Sequence, residues 1–206
     1  MKKWVLLLAV AVIAILPLTL QAQVNSYFPE IWKEKPVLHT VAATDDPYTT
    51  LDYRIVRDFN ISAREKADGY THYKTIYKNI KVNTQAGADS LTQLIMSAEY
   101  NEDLRGLRLR LLHSNGEVTE LNDQVRMVML SDHRKAIIAN NLEVEPGCEL
   151  EYELNLKVLY NYSGSEYLQS GIPANKVSFT LVAPKNLDFR VKTSPGLPAP
   201  TDSTAG

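Results

Sequence analysis

The stretch Leu142-Glu143-Val144-Glu145-Pro146-Gly147-Cys148-Glu149-Leu150-Glu151-Tyr152-Glu153-Leu154-Asn155-Leu156-Lys157-Val158-Leu159-Tyr160 decides the fold. From Cys148 on it alternates. Leu150, Tyr152, Leu154, Leu156, Val158 and Tyr160 fall on one side, and Glu149, Glu151, Glu153, Asn155 and Lys157 on the other. A period of two over so long a run makes a β-strand, and the pattern predicts one buried face and one wet face. Glu145-Pro146-Gly147 reads as the turn that leads into it.

The same pattern recurs outward along the chain. Leu51 to Ser62 alternates, Tyr70 to Val82 is rich in Tyr, Thr and Ile, and Ala67-Asp68-Gly69 between them predicts a hairpin. Thr84 to Asp89 is a polar break. Ser90 to Tyr100 fits a helical or a strand period and is assigned as strand. Leu107, Leu109 and Leu111 alternate with Arg108 and Arg110 before Ser114-Asn115-Gly116-Glu117, where Asn-Gly predicts a hairpin with a type I′ turn. Val125 to Leu130, Lys135 to Leu142, Val177 to Ala183 and Leu187 to Lys192 are further strand candidates. The expected fold class is all-β: an antiparallel β-sandwich-like domain of about eight to ten strands.

The N-terminus reads differently. Lys2 and Lys3 precede an apolar run from Trp4 to Leu20, followed by Gln21-Ala22-Gln23. This is the pattern of a secretory signal peptide over residues 1–22, with Pro17 and the small residue at Ala22 favouring cleavage over a retained anchor. The expectation is an exported bacterial protein of the periplasm or cell envelope, with no stable membrane insertion after cleavage. Residues 23–50 form an ordered lead-in carrying Phe28, Ile31, Trp32, Val37 and Leu38, residues 51–193 the sandwich-like domain, and residues 194–206 a flexible tail or the start of a linker.

The formal net charge of -2 becomes about -4 once Lys2 and Lys3 are removed, which argues against nucleic acid as a partner. A single cysteine excludes an internal disulfide, so stability rests on the core.

Each chemically capable group has a plainer alternative. Cys148 with His113 or His133 as base could be nucleophilic, but its run of neighbouring glutamates would raise the thiol pKa, and a small packed side chain is the favoured reading. His39, His72, His113 and His133 show no metal-ligand spacing, and surface positions are expected. Glu149, Glu151 and Glu153 lie roughly 6.6 Å apart on one strand face, where solvated glutamates opposite Arg108 and Arg110 are the expected arrangement. Asp45-Asp46 reads as a capped turn. No catalytic residue, metal ligand or cofactor is assigned. Tyr160, Tyr162 and Tyr167 are the candidate binding residues, because Tyr is favoured in binding faces, for a protein, peptide or glycan partner.

Three segments carry a resemblance. They are Asp68-Gly69-Tyr70-Thr71-His72-Tyr73-Lys74-Thr75, Ser114-Asn115-Gly116-Glu117-Val118, and Leu142 to Glu153 with its Pro-Gly turn, and Ala183-Pro184 closes the pattern. Together they resemble the bacterial exported domain of unknown function that precedes a transglutaminase-like, papain-like domain, over roughly residues 50–193. The resemblance implies an all-β envelope domain. It transfers no catalytic residue, because the Cys-His-Asp domain is absent from this chain and Cys148 does not match its nucleophile. The resulting expectation is a non-catalytic accessory module that acts as scaffold or partner-binding domain. A stand-alone glycan- or peptide-binding protein and a purely structural envelope protein are the alternatives.

Overall fold

The computed structural model describes residues 32–60, 71–132, 134–159, 161, 163–168 and 171–202. Among them the chain forms β1 (Tyr48–Asp58), β2 (His72–Val82), α1 (Gln85–Ser90), β3 (Gln93–Ala98), β4 (Glu102–Leu112), β5 (Val118–Glu120), β6 (Val125–Met129), β7 (Lys135–Asn140), β8 (Glu149–Val158) and β9 (Val177–Val182). A 3-10 turn at Asn122–Gln124 links β5 to β6. The fold is all-β and sandwich-like. A six-stranded sheet of order β5-β4-β8-β2-β1-β9 packs against a three-stranded sheet of order β3-β7-β6. Neighbouring strands are antiparallel, except that β9 runs parallel to β1.

The long alternating strand, β8, lies inside the large sheet between β2 and β4. Its apolar face builds the main core. Cys148, Leu150, Tyr152, Leu154 and Leu156 meet Leu94 and Met96 of β3, Leu109 and Leu111 of β4, and Ile137 and Ala139 of β7. Burial of this apolar area is the main stabilising term, at roughly 25 cal/mol per Å² removed from water.

The opposite face of β8 is not wet. Glu149, Glu151, Glu153 and Asn155 are 0, 4, 5 and 6 % exposed. A central strand has a neighbour on each side, and the lead-in segment crosses this face: Trp32 lies 4.0 Å from the Arg110 guanidinium, and His39 bonds Glu149. Buried carboxylates need partners; Asn155 Nδ2 of β8 itself donates to Glu153 Oε1 at 3.1 Å, and the adjacent strands supply the others. Arg110 Nε donates to Glu151 Oε2 at 2.6 Å and Tyr77 OH donates to Glu151 Oε1 at 2.5 Å. Asn79 Nδ2 donates to Glu149 at 3.1 Å, Lys81 Nζ lies 3.4 Å from it, and Thr75 Oγ1 donates to Asn155 Oδ1 at 2.8 Å. The register sets Arg110 opposite Glu151 and Arg108 opposite Glu153, as the alternation predicted. Burial pushes the Tyr77 hydroxyl pKa up, and the Glu151 bond adds to the shift.

Other expectations fare unevenly. β1 and β2 pair as the predicted hairpin, although Ala67-Asp68-Gly69 lies outside the described residues. β1 begins at Tyr48, inside the expected lead-in. β3 is the strand assigned within Ser90 to Tyr100, with every second residue buried. The polar break before it holds the short helix α1, whose N-cap Thr84 accepts from Gly87 N at 3.1 Å. A side chain on Gly87 would place its Cβ 2.0 Å from Pro47 O, so the close approach requires glycine.

The β4–β5 hairpin is not the predicted type I′ turn. Gly116 has φ +87°, and among described non-glycine residues only Asn141 has a positive φ. Gly116 N donates to His113 O at 2.9 Å and His113 N to Glu117 O at 2.8 Å, which is a three-residue loop with glycine in the left-handed position. Leu187 to Lys192 is not a strand: after β9 the chain turns at Pro184, with Leu187 N donating to Pro184 O at 3.0 Å, and runs on as irregular chain. No helix among the described residues is long and apolar enough to cross a membrane.

Candidate functional site: a cleft beside the last strand

The three-stranded sheet covers the β4 and β8 half of the large sheet. On the same face, at the other side, lie the end of β1 and β9, with the loop 163–168 and the segment 184–197 beside them. Between them lies a cleft of about 840 Å³. Phe179 and Leu181 of β9, with Phe59 and Phe189, give it apolar walls, and Arg57 and Glu166 give it a charged one. Register explains the placement, because Phe179 pairs with Ile55 and Leu181 with Arg57, so these side chains share a face.

The charged wall is fixed from behind. Arg57 Nε donates to Glu166 Oε1 at 2.7 Å, and Nη2 to the same oxygen at 2.5 Å. Lys74 Nζ sits 3.4 Å from Glu166 and 3.4 Å from Glu102. Gly164 lies against the guanidinium, where a Cβ would stand 3.4 Å from Nη2. Arg57 Nη1 is 3.3 Å from His72 Nε2. His72 stacks on Phe59 with centroids 4.3 Å apart, and Phe59 in turn meets Phe189 at 4.5 Å. Burial first, and then the positive charges of Arg57 and Lys74, push the His72 pKa down to about 4. At neutral pH the imidazole is uncharged, so its Nε2 can accept from Arg57. The wall is therefore a half-buried, oriented ion pair backed by a stacked aromatic column.

The candidate binding residues fall at one edge of this cleft or beyond view. Tyr167 is 83 % exposed and stands between the cleft-lining Glu166 and Leu168. Tyr160 and Tyr162 lie outside the described residues. The expected surface placement of the histidines is corrected for His72, which is fully buried. His133 is outside the described residues, and His39 bonds Glu149 at the protein edge. Asp45-Asp46 forms a local turn in which Asp46 N donates to Thr44 Oγ1 at 3.2 Å.

Cys148 lies at the far end of β8 from the cleft. It is fully buried, and burial pushes its thiol pKa up, with Glu145 adding to the shift. Its Sγ is 3.9 Å from His113 Nδ1. A protonated, buried thiol is poorly suited to nucleophilic attack, which agrees with the packed role read from its surroundings.

Sequence reasoning missed Arg57, His72, Lys74 and Glu166 as a group. Arg57 and Lys74 pair across β1 and β2, while Glu166 arrives from a loop 109 positions away, a separation no local pattern encodes.

Residues 68–206 match the model of the family described as "Domain of Unknown Function with solved-structure structure (DUF3857)". Among solved structures, the chain is similar to a protein from Parabacteroides distasonis described as a "putative protease", at 9 % identity and TM-score 0.46, covering 56 % of this chain and 24 % of that one. It is also similar to a two-domain M1 zinc metallopeptidase bound to L-arginine, at 11 % identity and TM-score 0.31, covering 58 % and 22 %. The chain thus spans about a quarter of the length of these proteins. No curated protein matches it.

Proposed function

Because this chain belongs to the DUF3857 family, whose function is unknown, we propose that it is a non-catalytic, exported binding module whose β9 cleft receives a segment of a partner polypeptide. The observation that carries the reading is the cleft itself. Its volume of about 840 Å³ falls in the range of roughly 300–1,000 Å³ usual for ligand sites. Apolar walls with one fixed polar feature are the usual composition of such a site. Phe179, Leu181 and Phe189 supply apolar contact area, and the Arg57–Glu166 pair offers a carboxylate and a guanidinium to backbone or side-chain groups. β9 is an edge strand of its sheet, a position that also accepts an added peptide strand. The signal-peptide pattern of residues 1–22 supports an envelope location. The resemblance of the sequence motifs to domains that precede a transglutaminase-like domain supports a role in presenting polypeptide to such a domain.

The test uses the purified chain and a displayed random-peptide library. Binding peptides are expected to lose affinity in Phe179→Asp and Phe189→Asp, while the protein shows no peptidase or amide-transfer turnover. Turnover abolished by Cys148→Ser, or peptide binding indifferent to both cleft substitutions, would overturn the reading. An exposed aromatic at the rim, Tyr167, favours a glycan as the second reading, and binding of envelope polysaccharide lost in Tyr167→Ala would establish it instead.

A further inference from the structure

At the end of β8 opposite the cleft, two turns are pressed together. The β4–β5 hairpin loop begins at His113, and the turn Glu145-Pro146-Gly147 opens onto Cys148. A Cβ on Gly147, whose φ is +91°, would approach Ser114 Cβ to 3.2 Å, which shows how closely the turns lie. We propose that His113, Glu145 and Cys148 form a binding site for a divalent transition-metal ion of the zinc type.

The donor atoms already converge. His113 Nδ1 is 3.9 Å from Cys148 Sγ and 3.9 Å from Glu145 Oε1, and the three ligand atoms lie within 4.8 Å of one another. Zinc bond lengths of about 2.0–2.3 Å in a tetrahedron place ligand atoms roughly 3.3–3.8 Å apart. Small side-chain rotations bring all three onto one ion. Nitrogen, thiolate sulfur and carboxylate oxygen are the donors that zinc takes, and three protein ligands leave a fourth position for water.

The backbones that carry the ligands are fixed before any ion arrives. His113 N donates to Glu117 O at 2.8 Å, Cys148 N to Glu145 O at 3.1 Å, and Gly147 N to Val82 O at 2.8 Å. His113 also has an orienting partner. Its Nε2 lies 2.9 Å from Thr119 Oγ1. With the proton on Nε2 donated to that hydroxyl, the Nδ1 lone pair faces Cys148 and Glu145, the outer-shell arrangement that metal-bound histidines use. Ser114 Oγ donates to Glu145 Oε1 at 3.1 Å and holds the carboxylate in the cluster. Access is through Glu145, whose side chain is 55 % exposed, while Cys148 forms the floor. Coordination converts the thiol to a thiolate and releases its proton to solvent. The ion would join the hairpin to the start of β8, a structural role independent of the cleft.

The test is titration of the reduced, chelator-stripped chain with cobalt(II), followed by absorbance. A thiolate-to-cobalt charge-transfer band with tetrahedral visible bands is expected, saturating at one equivalent and bleached by zinc. Cys148→Ser should remove the charge-transfer band. His113→Gln and Glu145→Gln, both at partly exposed positions, should weaken binding and keep the test decisive if Cys148→Ser fails to fold. Thr119→Val, which touches no ion, should weaken binding by about 10–100-fold. Absence of the band in folded protein under excess cobalt, or a band and affinity unchanged in His113→Gln and Glu145→Gln, would overturn the assignment.

Discussion

Arg110→Met tests the buried polar face of β8. The Arg110 side chain is 2 % exposed and that of its partner Glu151 is 5 % exposed, with Nη2 2.5 Å from Glu151 Oε2. Removing the cation leaves the Glu151 carboxylate with the Tyr77 hydroxyl donating to it, inside a low-dielectric layer. Breaking a buried pair from one side costs about 3–5 kcal/mol. Loss of the stacking on Trp32 at 4.0 Å adds about 1 kcal/mol. Against a total stability of roughly 5–15 kcal/mol, this is a large fraction. For a domain of this size the combined loss of about 4–6 kcal/mol corresponds to a drop in Tm of roughly 8–24 °C. Urea unfolding followed by circular dichroism gives the free energy, and Arg110→Met with Glu151→Met gives the control. The double variant should recover most of the loss, because a buried pair replaced by apolar groups of similar volume is near neutral. A single-variant cost below about 1 kcal/mol, the range of surface pairs, would show that this face is wet and refute the fold reading of β8.

Three further outcomes follow from particular contacts. The His72 pKa of about 4 lies below its unfolded value of 6.5, so the unfolded chain binds more protons between those values. Stability should therefore fall as pH drops from about 6.5 toward 4, and His72→Gln should flatten the pH profile of Tm over that window; an unchanged profile would contradict the burial of His72. Gly87→Ala should destabilise by on the order of 1–3 kcal/mol, because the new Cβ meets Pro47 O at 2.0 Å, and a stabilised variant in urea unfolding would refute that contact. Gly116→Ala at φ +87° should cost about 1 kcal/mol in the same assay, with no loss if the loop were free to change its turn.

The elements of this fold were legible where alternation met a turn residue. β8, the β1–β2 pair and the β4–β5 hairpin all came from that combination. Alternation identifies two faces, but it does not say what covers each. Glu149, Glu151 and Glu153 read as solvated because carboxylates are rarely buried without partners. Lys81, which partners Glu149, and Tyr77 and Arg110, which partner Glu151, sit on two other strands, while Glu153 accepts from Asn155 of β8 itself, and the cover over them includes Trp32, more than a hundred residues away. The short helix α1 was hidden because six residues give no helical period, and only the Thr84 cap marked it. Leu187 to Lys192 alternates like a strand yet pairs with none, and its residues line the cleft instead. The cleft itself was not legible: of the Tyr160, Tyr162 and Tyr167 cluster only Tyr167 lies among the described residues, exposed between the cleft-lining Glu166 and Leu168. Its charged wall unites β1, β2 and the loop 163–168 and leaves no trace in local sequence.

A partner polypeptide bound as proposed must lie in the cleft beside β9. Backbone amide shift mapping of the isotope-labelled chain, titrated with a peptide selected from the library, tests it most directly. The shifts should gather at Arg57, Gly164, Phe179 and Phe189. Shifts gathered instead on the three-stranded sheet, where Ile95, Met127 and Met129 are 60, 55 and 61 % exposed, would contradict it.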